Sequence, residues 1–333
     1  MNYKVTLAMP VYNVEKYVER ALLSALNQTF DSIEFLIVDD KGTDRSMEIV
    51  NEIVSTHPRG KDVRIIDHVV NQGTGATKNS AIREAKGEYL FFMDSDDEIT
   101  DDCIQTLYET ILKENVDCVV GNYCIPQHAP VHNMKNVLLK SNADILKYVF
   151  KEQHPFFIYT WNKLYRISFL RDNDIKCIPY HTCEDNLFTF QVLCHIGSLV
   201  IIDKVTYFYY QYETSFMGVK RKIGFSDKTA NMHADIIEFK VNYLLNNQIH
   251  YKDYIKRKVF YEASSYMVTL LQSDLEFGIK KKYLSKFQCV SKLKINKNVF
   301  EGKVSKLYYV FRYVNNVFAV YIILLLCLKL NAK

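Results

Sequence analysis

The sequence holds one tryptophan in 333 residues, no C-x-x-C pair among its eight cysteines, and no apolar run long enough to span a bilayer. Each absence excludes something. Cys103, Cys118, Cys124, Cys177, Cys183, Cys194, Cys289 and Cys327 lack zinc-site spacing. Free thiols in a reducing compartment are the simplest account. The N-terminus runs directly into a strand pattern without a signal segment, which predicts a cytoplasmic protein. A net charge of +4 gives no argument for nucleic acid. There is no internal repeat and no low-complexity tract. The longest apolar run, residues 317–328, falls short of the ~20 residues a spanning helix needs. With Arg312 upstream and Lys329 and Lys333 downstream, it predicts a membrane-surface helix near residues 304–330. Its alternatives are a helix packed on the body of the protein or one that pairs two subunits in a homodimer.

What is present reads as globular. Hydrophobic residues make up 48% and charged residues 24%, enough for one large domain or two ordinary ones. The 24 tyrosines suit a surface that handles sugars, since a ring stacks on a sugar while its hydroxyl bonds; a bare compositional bias reads equally well.

Apolar runs and helical periodicities alternate over the first part of the chain. Strands are predicted at residues 4–9 (stopped by Pro10), 34–38, 63–66, 88–93 and 117–120, and helices at 15–28, 45–55, 75–85 and 104–113. Strands apolar on both faces, at βαβ spacing, imply an α/β fold with a mostly parallel sheet covered by helices. Ligands of such sheets bind beyond the carboxyl ends of the strands. Three strands end there in polar clusters: Val11-Tyr12-Asn13, Asp39-Asp40, and Asp94-Ser95-Asp96-Asp97. Residues 126–142 read as a loop, 143–150 as a helix, 161–165 as a strand or turn, 184–194 as a helix and 205–212 as an aromatic strand. From about Asn231 the chain reads as mainly helical.

Three carboxylates packed at Asp94, Asp96 and Asp97 repel unless a cation neutralises them, and Mg²⁺ or Mn²⁺ suits such hard oxygen ligands. A solvated acidic loop capping the next helix is the plainer reading. Asp39 and Asp40 can accept from the N–H of a uracil or guanine ring, or from ribose hydroxyls. Asn71 to Asn79 joins a strand to a helix through Gly73 and Gly75, with Lys78 in the first turn, where anions are favoured. It is not the dinucleotide fingerprint. Glu184-Asp185 opens a helix. Either carboxylate there could serve as a base, and either is also ordinary in a first helical turn.

These residues together resemble family-two glycosyltransferases of the bacterial polysaccharide type. The resemblance rests on Pro10-Val11-Tyr12-Asn13-Val14-Glu15, Ile37-Val38-Asp39-Asp40, Thr43-Asp44-Arg45-Ser46, Asn71-Gln72-Gly73, Lys78-Asn79, Ala85-Lys86-Gly87-Glu88-Tyr89 and Met93-Asp94-Ser95-Asp96-Asp97, in the family's order. A weaker match continues through Trp161 to Tyr165, Glu184-Asp185 and Tyr209-Tyr210. It implies a GT-A fold: a Rossmann-like, mostly parallel sheet flanked by helices, with a mainly helical C-terminal extension. The expected division is a nucleotide-sugar half at 1–125, an acceptor half at 126–217 and a helical extension at 218–333.

The resemblance further implies an inverting, metal-dependent hexosyl- or N-acetylhexosaminyltransferase. Its donor would be a nucleotide-sugar, a UDP-sugar first, and its acceptor a glycan or lipid-linked chain of surface polysaccharide assembly at the inner face of the membrane. The donor site would comprise Pro10, Val11, Tyr12, Asn13, Glu15, Asp39, Asp40, Asn71, Gly73, Lys78, Asp94, Ser95 and Asp96. Asp94 and Asp96 of the D-x-D motif would serve the Mn²⁺ or Mg²⁺. Asp185 would be the base with Glu184 beside it, and Asp97, Trp161, Asn162, Lys163 and Tyr209 would meet the acceptor. Departures from the family pattern include Lys41-Gly42 where Gly-Ser is usual, Thr77-Lys78 where Ala-Arg is usual, and Gln211 where an arginine often follows the paired tyrosines. Lysine keeps the charge of arginine but loses its bidentate grip on phosphate. A sugar nucleotidyltransferase is the alternative on the same fold, but Val11 to Glu15 lacks a glycine-rich basic loop. A catalytically degenerate nucleotide- or glycan-binding protein is the other.

Overall fold

The computed structural model describes residues 3–127, 135–152, 159–179, 183–212, 225–247, 249 and 252–295. The chain divides into two compact units, Met1–Tyr212 and Glu213–Lys333.

In the first unit the elements run β1 (Val5–Val11), α1 (Val18–Leu26), β2 (Ile33–Asp39), α2 (Ser46–Thr56), β3 (Val63–Asp67), α3 (Thr74–Glu84), β4 (Tyr89–Phe92), β5 (Glu98–Ile99), α4 (Cys103–Glu114), β6 (Cys118–Cys124), β7 (Val137–Leu139), α5 (Asn142–Glu152), β8 (Lys163–Arg166), α6 (Ile167–Asp172), α7 (Glu184–His195) and β9 (Leu199–Phe208). Strands β3, β2, β1 and β4 are parallel neighbours, as the two-sided apolar character of β1, β2 and β4 predicts, while β3 at the edge is only partly buried. β8 then enters antiparallel between β4 and β6, and β9 lies parallel to β6. Every residue of β2 is buried, and α1 turns Val18, Ala21, Leu22, Ala25 and Leu26 into the core.

Pro10, expected from sequence to stop the first strand, does not: β1 continues to Val11. The pairing explains why. β4 is in register with β1 only as far as Ala8 opposite Phe92. Val11 faces β2, whose following Asp40 N–H donates to its carbonyl, so Pro10 faces the β4 side beyond that strand's end. Its missing N–H breaks no ladder bond.

The stretch read as a loop at 126–142 contains β7, paired antiparallel with β9. The two-residue β5 and the one-and-a-half-turn α6 are too short for periodicity to reveal. Residues 161–165, left as strand or turn, hold β8. Asn162 precedes β8 at φ 56° and bolts three strands together. Its amide donates to the carbonyls of Gly121 and Asn122 at 2.9 Å, and Thr206 Oγ1 donates to its Oδ1 at 2.8 Å. Gly121 is needed for this approach, since a Cβ there would lie 2.0 Å from Thr206 Oγ1.

The second unit contains α8 (Asp227–Asn246), α9 (Lys252–Gln272) and α10 (Phe277–Phe287). Ser226 caps α8 by accepting from Thr229 N–H. Lys240 of α8 and Glu262 of α9 form a buried pair at 2.7 Å. No helix among the described residues is long and apolar enough to cross a membrane. The predicted surface helix at 304–330 and Cys327 lie outside the described residues. The other seven cysteines are free thiols.

Candidate active site

The carboxyl ends of β1, β2 and β3 stand side by side, with Val11 opposite Asp39 and Asp39 opposite Asp67. The loop after β1 turns at Asn13, φ 52°. Its shape is held from the 43–46 segment. Thr43 N–H donates to Asn13 Oδ1 at 2.7 Å, Val14 N–H to Ser46 Oγ at 2.8 Å, and Glu15 N–H to Asp44 Oδ2 at 2.8 Å. Glu15 returns the contact by accepting from Arg45 N–H at 3.0 Å. The Thr-Asp-Arg-Ser motif therefore fixes the loop that carries Tyr12 and Asn13, and the Glu15 carboxylate is engaged in the same lock. Tyr12 is left 46% exposed at the site's edge.

Asp39 and Asp40 have different surroundings. Asp39 Oδ1 accepts from Lys41 N–H at 2.9 Å, and Lys41 Nζ stands 3.5 Å from Oδ2. Asp40 is buried and fully engaged. It accepts from Gln72 and Gly73 N–H and contacts His68 Nδ1, all at 2.8 Å. His68 Nε2 meets Ser80 Oγ at 2.9 Å. Asp40 thus shapes the loop that carries Asn71 and Gly73, the latter at φ 82° before α3.

The acidic turn follows β4. Asp97 is its anchor: Tyr207 hydroxyl donates to Oδ2 and Tyr210 N–H to Oδ1, each at 2.8 Å. The Tyr207 hydroxyl also accepts from Asp94 N–H at 3.1 Å. Burial, then the charges of Asp96 and Asp94, push the Asp97 carboxyl well above the usual range. One oxygen each of Asp94, Asp96 and Asp97 lies within 4.8 Å of the others. Burial lifts Asp94 to about 7 against the opposing pull of Lys78, and burial lifts Asp96 too. The carboxylates of Asp94 and Asp96 receive no hydrogen bond from another described side chain or backbone group, and Ser95 between them is buried. Two half-buried carboxylates with open lone pairs are a donor set that fits a hard divalent cation.

Arg20 of α1, not singled out from sequence, braces this turn. Its Nη2 donates to the Asp96 carbonyl at 2.9 Å and to the Tyr212 hydroxyl at 2.8 Å, and its Nε lies 2.6 Å from Glu98. The guanidinium sits 3.9 Å above the Tyr210 ring. Nothing in the sequence separates it from a solvated helix arginine.

Lys78, whose first-turn position points to phosphate, is buried and donates to Asp185 Oδ1, with Glu184 at 3.6 Å. Burial works against its charge, but Asp185, Glu184 and Asp94 outweigh that and hold the lysine above its ordinary pKa. Burial raises Glu184, opposed by Lys78. Thr160 hydroxyl also donates to Asp185 Oδ1, at 2.9 Å. Oδ1 is thereby fixed by two donors, while the side chain keeps 22% exposure at the start of α7. The helix N-terminus adds a partial positive charge near both carboxylates.

Of the expected acceptor residues, Trp161 and Tyr209 belong to an aromatic wall rather than an open surface. Trp161 is buried, stacked on Tyr207 at 4.6 Å and on Tyr159 at 5.0 Å, with Tyr209 at 5.3 Å. The Asn162 amide is engaged within the sheet. Lys163 is buried with its ammonium on the Tyr159 and Trp161 carbonyls, and burial lowers it to about 7. With Asp97 buried as well, Tyr209 alone of the five expected acceptor residues is partly exposed.

Residues 6–173 match the family described as Glycosyl transferase family 2. The chain is 30% identical over 220 residues to a poly(ribitol-phosphate) beta-glucosyltransferase of Bacillus spizizenii, covering 62% of this chain and 32% of that protein. It is 29% identical over 221 residues to poly(ribitol-phosphate) beta-N-acetylglucosaminyltransferase TarS of Staphylococcus aureus, covering 62% and 35%. The chain spans under half the length of each of these relatives. A crystal structure of S. aureus TarS 1-349 in complex with UDP-GlcNAc has the same fold, with TM-score 0.73 and 22% identity over 96% of this chain and 89% of that one.

Proposed function

Because the chain belongs to glycosyl transferase family 2, we propose that it moves a hexosyl or N-acetylhexosaminyl group from a UDP-sugar to an acceptor hydroxyl, with inversion. The observation that carries this reading is the proximity of two unlike carboxylate sets. The Asp94 and Asp96 carboxylates lack protein donors, whereas Asp185 is fixed by Lys78 and Thr160. Lys78 links them, since its charge feels both Asp185 and Asp94.

In this reading Asp39 and the loop of Tyr12 and Asn13 hold the nucleoside, and Asp94 and Asp96 would hold Mn²⁺ or Mg²⁺. The cation would supply charge stabilisation to the leaving diphosphate. Asp185 takes the acceptor's hydroxyl proton as that oxygen bonds to the sugar's anomeric carbon. The bond from that carbon to the diphosphate breaks on the opposite face, and UDP departs with the electron pair. Lys78 and Thr160 hold Asp185 Oδ1, which leaves Oδ2 for the incoming hydroxyl. Domain roles follow: residues 1–125 hold the donor, 126–217 complete the acceptor side, and 218–333 form an extension.

UDP as nucleotide is supported by the TarS complex, and a polyol-phosphate or related surface glycan as acceptor by the relatives' names. A thermal-shift screen with UDP-, GDP-, CMP- and dTDP-sugars, with and without Mn²⁺, tests the donor. UDP-sugars should raise the melting temperature with Mn²⁺, since ligand bound only to the folded state stabilises it. A shift with another nucleotide class alone would displace UDP. A sequence without response to any would favour the degenerate reading.

An anionic surface as partner is supported by charge division. Residues 213–333 hold 21 of the 42 Lys and Arg but only 9 of the 38 Asp and Glu. Basic segments near an apolar run favour anionic lipid by about 1 kcal/mol per charge. Co-sedimentation with phosphatidylglycerol vesicles should be strong and salt-sensitive, and weak with phosphatidylcholine. Equal binding to both would remove the electrostatic account.

A further inference from the structure

His68, the first residue after β3, meets three separate pieces of the donor half. Its backbone N–H donates to the Asp39 carbonyl at 3.0 Å. Its Nδ1 lies 2.8 Å from Asp40 Oδ1, and its Nε2 lies 2.9 Å from Ser80 Oγ on α3. The side chains of His68, Asp40 and Ser80 are all buried. Their neighbours set the direction of these bonds. Asp40, a carboxylate that holds the N–H groups of Gln72 and Gly73, offers only lone pairs, so the ring nitrogen facing it carries the proton. Arg83 Nη2 donates to Ser80 Oγ at 3.3 Å, which leaves the Ser80 hydroxyl proton for the lone pair on His68 Nε2. Donation thus runs one way, from Arg83 to Ser80 to His68 to Asp40.

The chain of bonds ends on a loop. Residues 69–73 join β3 to α3 without regular structure, and Gly73 turns at φ 82°. Val69 and Val70 of that loop are exposed, so burial of these side chains does not hold it down. The Asp40 carboxylate does, through Gln72 and Gly73 N–H. We propose that His68 is a positioning residue for the donor, resting on the donor-site reading above: its Nδ1 bond keeps Asp40 turned toward the loop that carries Asn71 and Gly73. Without that third donor the carboxylate can rotate and the loop loosens. Donor binding must then order the loop, at a cost in affinity.

Two amides separate the ring nitrogens. Asparagine places its amide nitrogen where Nδ1 lies, and glutamine places its own one atom farther out, near Nε2. His68→Asn therefore keeps the bond to Asp40 and loses Ser80, and His68→Gln does the reverse. The test is calorimetric titration of UDP with Mn²⁺ into the full chain, wild type and both variants. Melting temperatures and hydrogen exchange of the Gln72 and Gly73 amides are read on the same preparations. His68→Gln should lose about tenfold in UDP affinity, as expected for a hydrogen bond to a charged group, and its two amides should exchange faster. His68→Asn should bind UDP nearly as wild type does. Stability should run the other way, since asparagine is the smaller side chain and leaves the larger cavity. A merely structural histidine would make affinity follow melting temperature, with His68→Asn the weaker binder. That order, or unchanged affinity and exchange in His68→Gln, overturns the proposal. A wild type that binds no UDP removes the donor-site reading and this inference with it, even where the amides exchange faster in His68→Gln.

Discussion

Asp185→Asn is expected to lower kcat by about 10²–10⁴-fold, the usual worth of a positioned base, with little change in donor affinity. Asparagine keeps the shape and the Thr160 contact but cannot accept the acceptor's proton. The variant also alters the buried Lys78, whose ammonium is left with Glu184 at 3.6 Å as its remaining close ion-pair partner. Breaking a buried pair from one side costs on the order of 3–5 kcal/mol, an upper bound here because Glu184 stays. The melting temperature should therefore fall. Lys78→Met with Asp185→Asn removes the orphaned charge and should recover most of that stability without recovering kcat. The pair of readouts divides the roles. If the double variant regains turnover, Asp185 acted only as a partner for Lys78. If Asp185→Asn keeps near-normal kcat, the base lies elsewhere.

Asp96→Asn should move stability and activity in opposite directions. Without metal, three carboxyl groups with oxygens within 4.8 Å oppose one another's ionisation, and removal of one charge relieves that cost. The metal-free protein should thus melt no lower than wild type. With Mn²⁺ and UDP, the stabilisation seen for wild type should vanish. Turnover should fall on the order of 10³-fold, as several kcal/mol of charge stabilisation at the leaving group are lost. Differential scanning calorimetry and a transfer assay on the same preparations check both signs. A variant destabilised equally with and without metal would mark Asp96 as a structural residue of the turn. Arg20, which holds the Asp96 carbonyl, would then be the more informative residue for the turn's packing.

Much of the first half was legible because its signals are local. β2 is a continuous apolar run and α1 an amphipathic stripe, and both lie close to where periodicity places them. Pro10 misled because the stop rule treats a strand as flanked on both sides, whereas β4 has already ended. The second half was harder, since β8 is an antiparallel insertion set by pairings with β4 and β6, and four residues reading Lys-Leu-Tyr-Arg declare neither a strand nor its direction. At the site, residue types were readable and partners were not. Asp39 and Asp40 are adjacent and alike in sequence, yet one lies beside Lys41 with an oxygen to offer, and the other is enclosed by His68, Gln72 and Gly73. Lys78 reads as a phosphate ligand from its helix position, but it meets a carboxylate 107 residues away, which no local spacing reports. Asn162 and Lys163 are expected from the resemblance to meet the acceptor, and their side chains are buried on backbone carbonyls.

The most direct test of the account is calorimetric titration of UDP into wild type and Asp96→Asn, each with Mn²⁺ and again with EDTA. The account expects tight, stoichiometric binding by wild type with Mn²⁺, and a large loss of affinity when the metal is chelated or Asp96 is replaced. UDP binding that is indifferent to both would contradict a cation held between the acidic turn and the donor diphosphate.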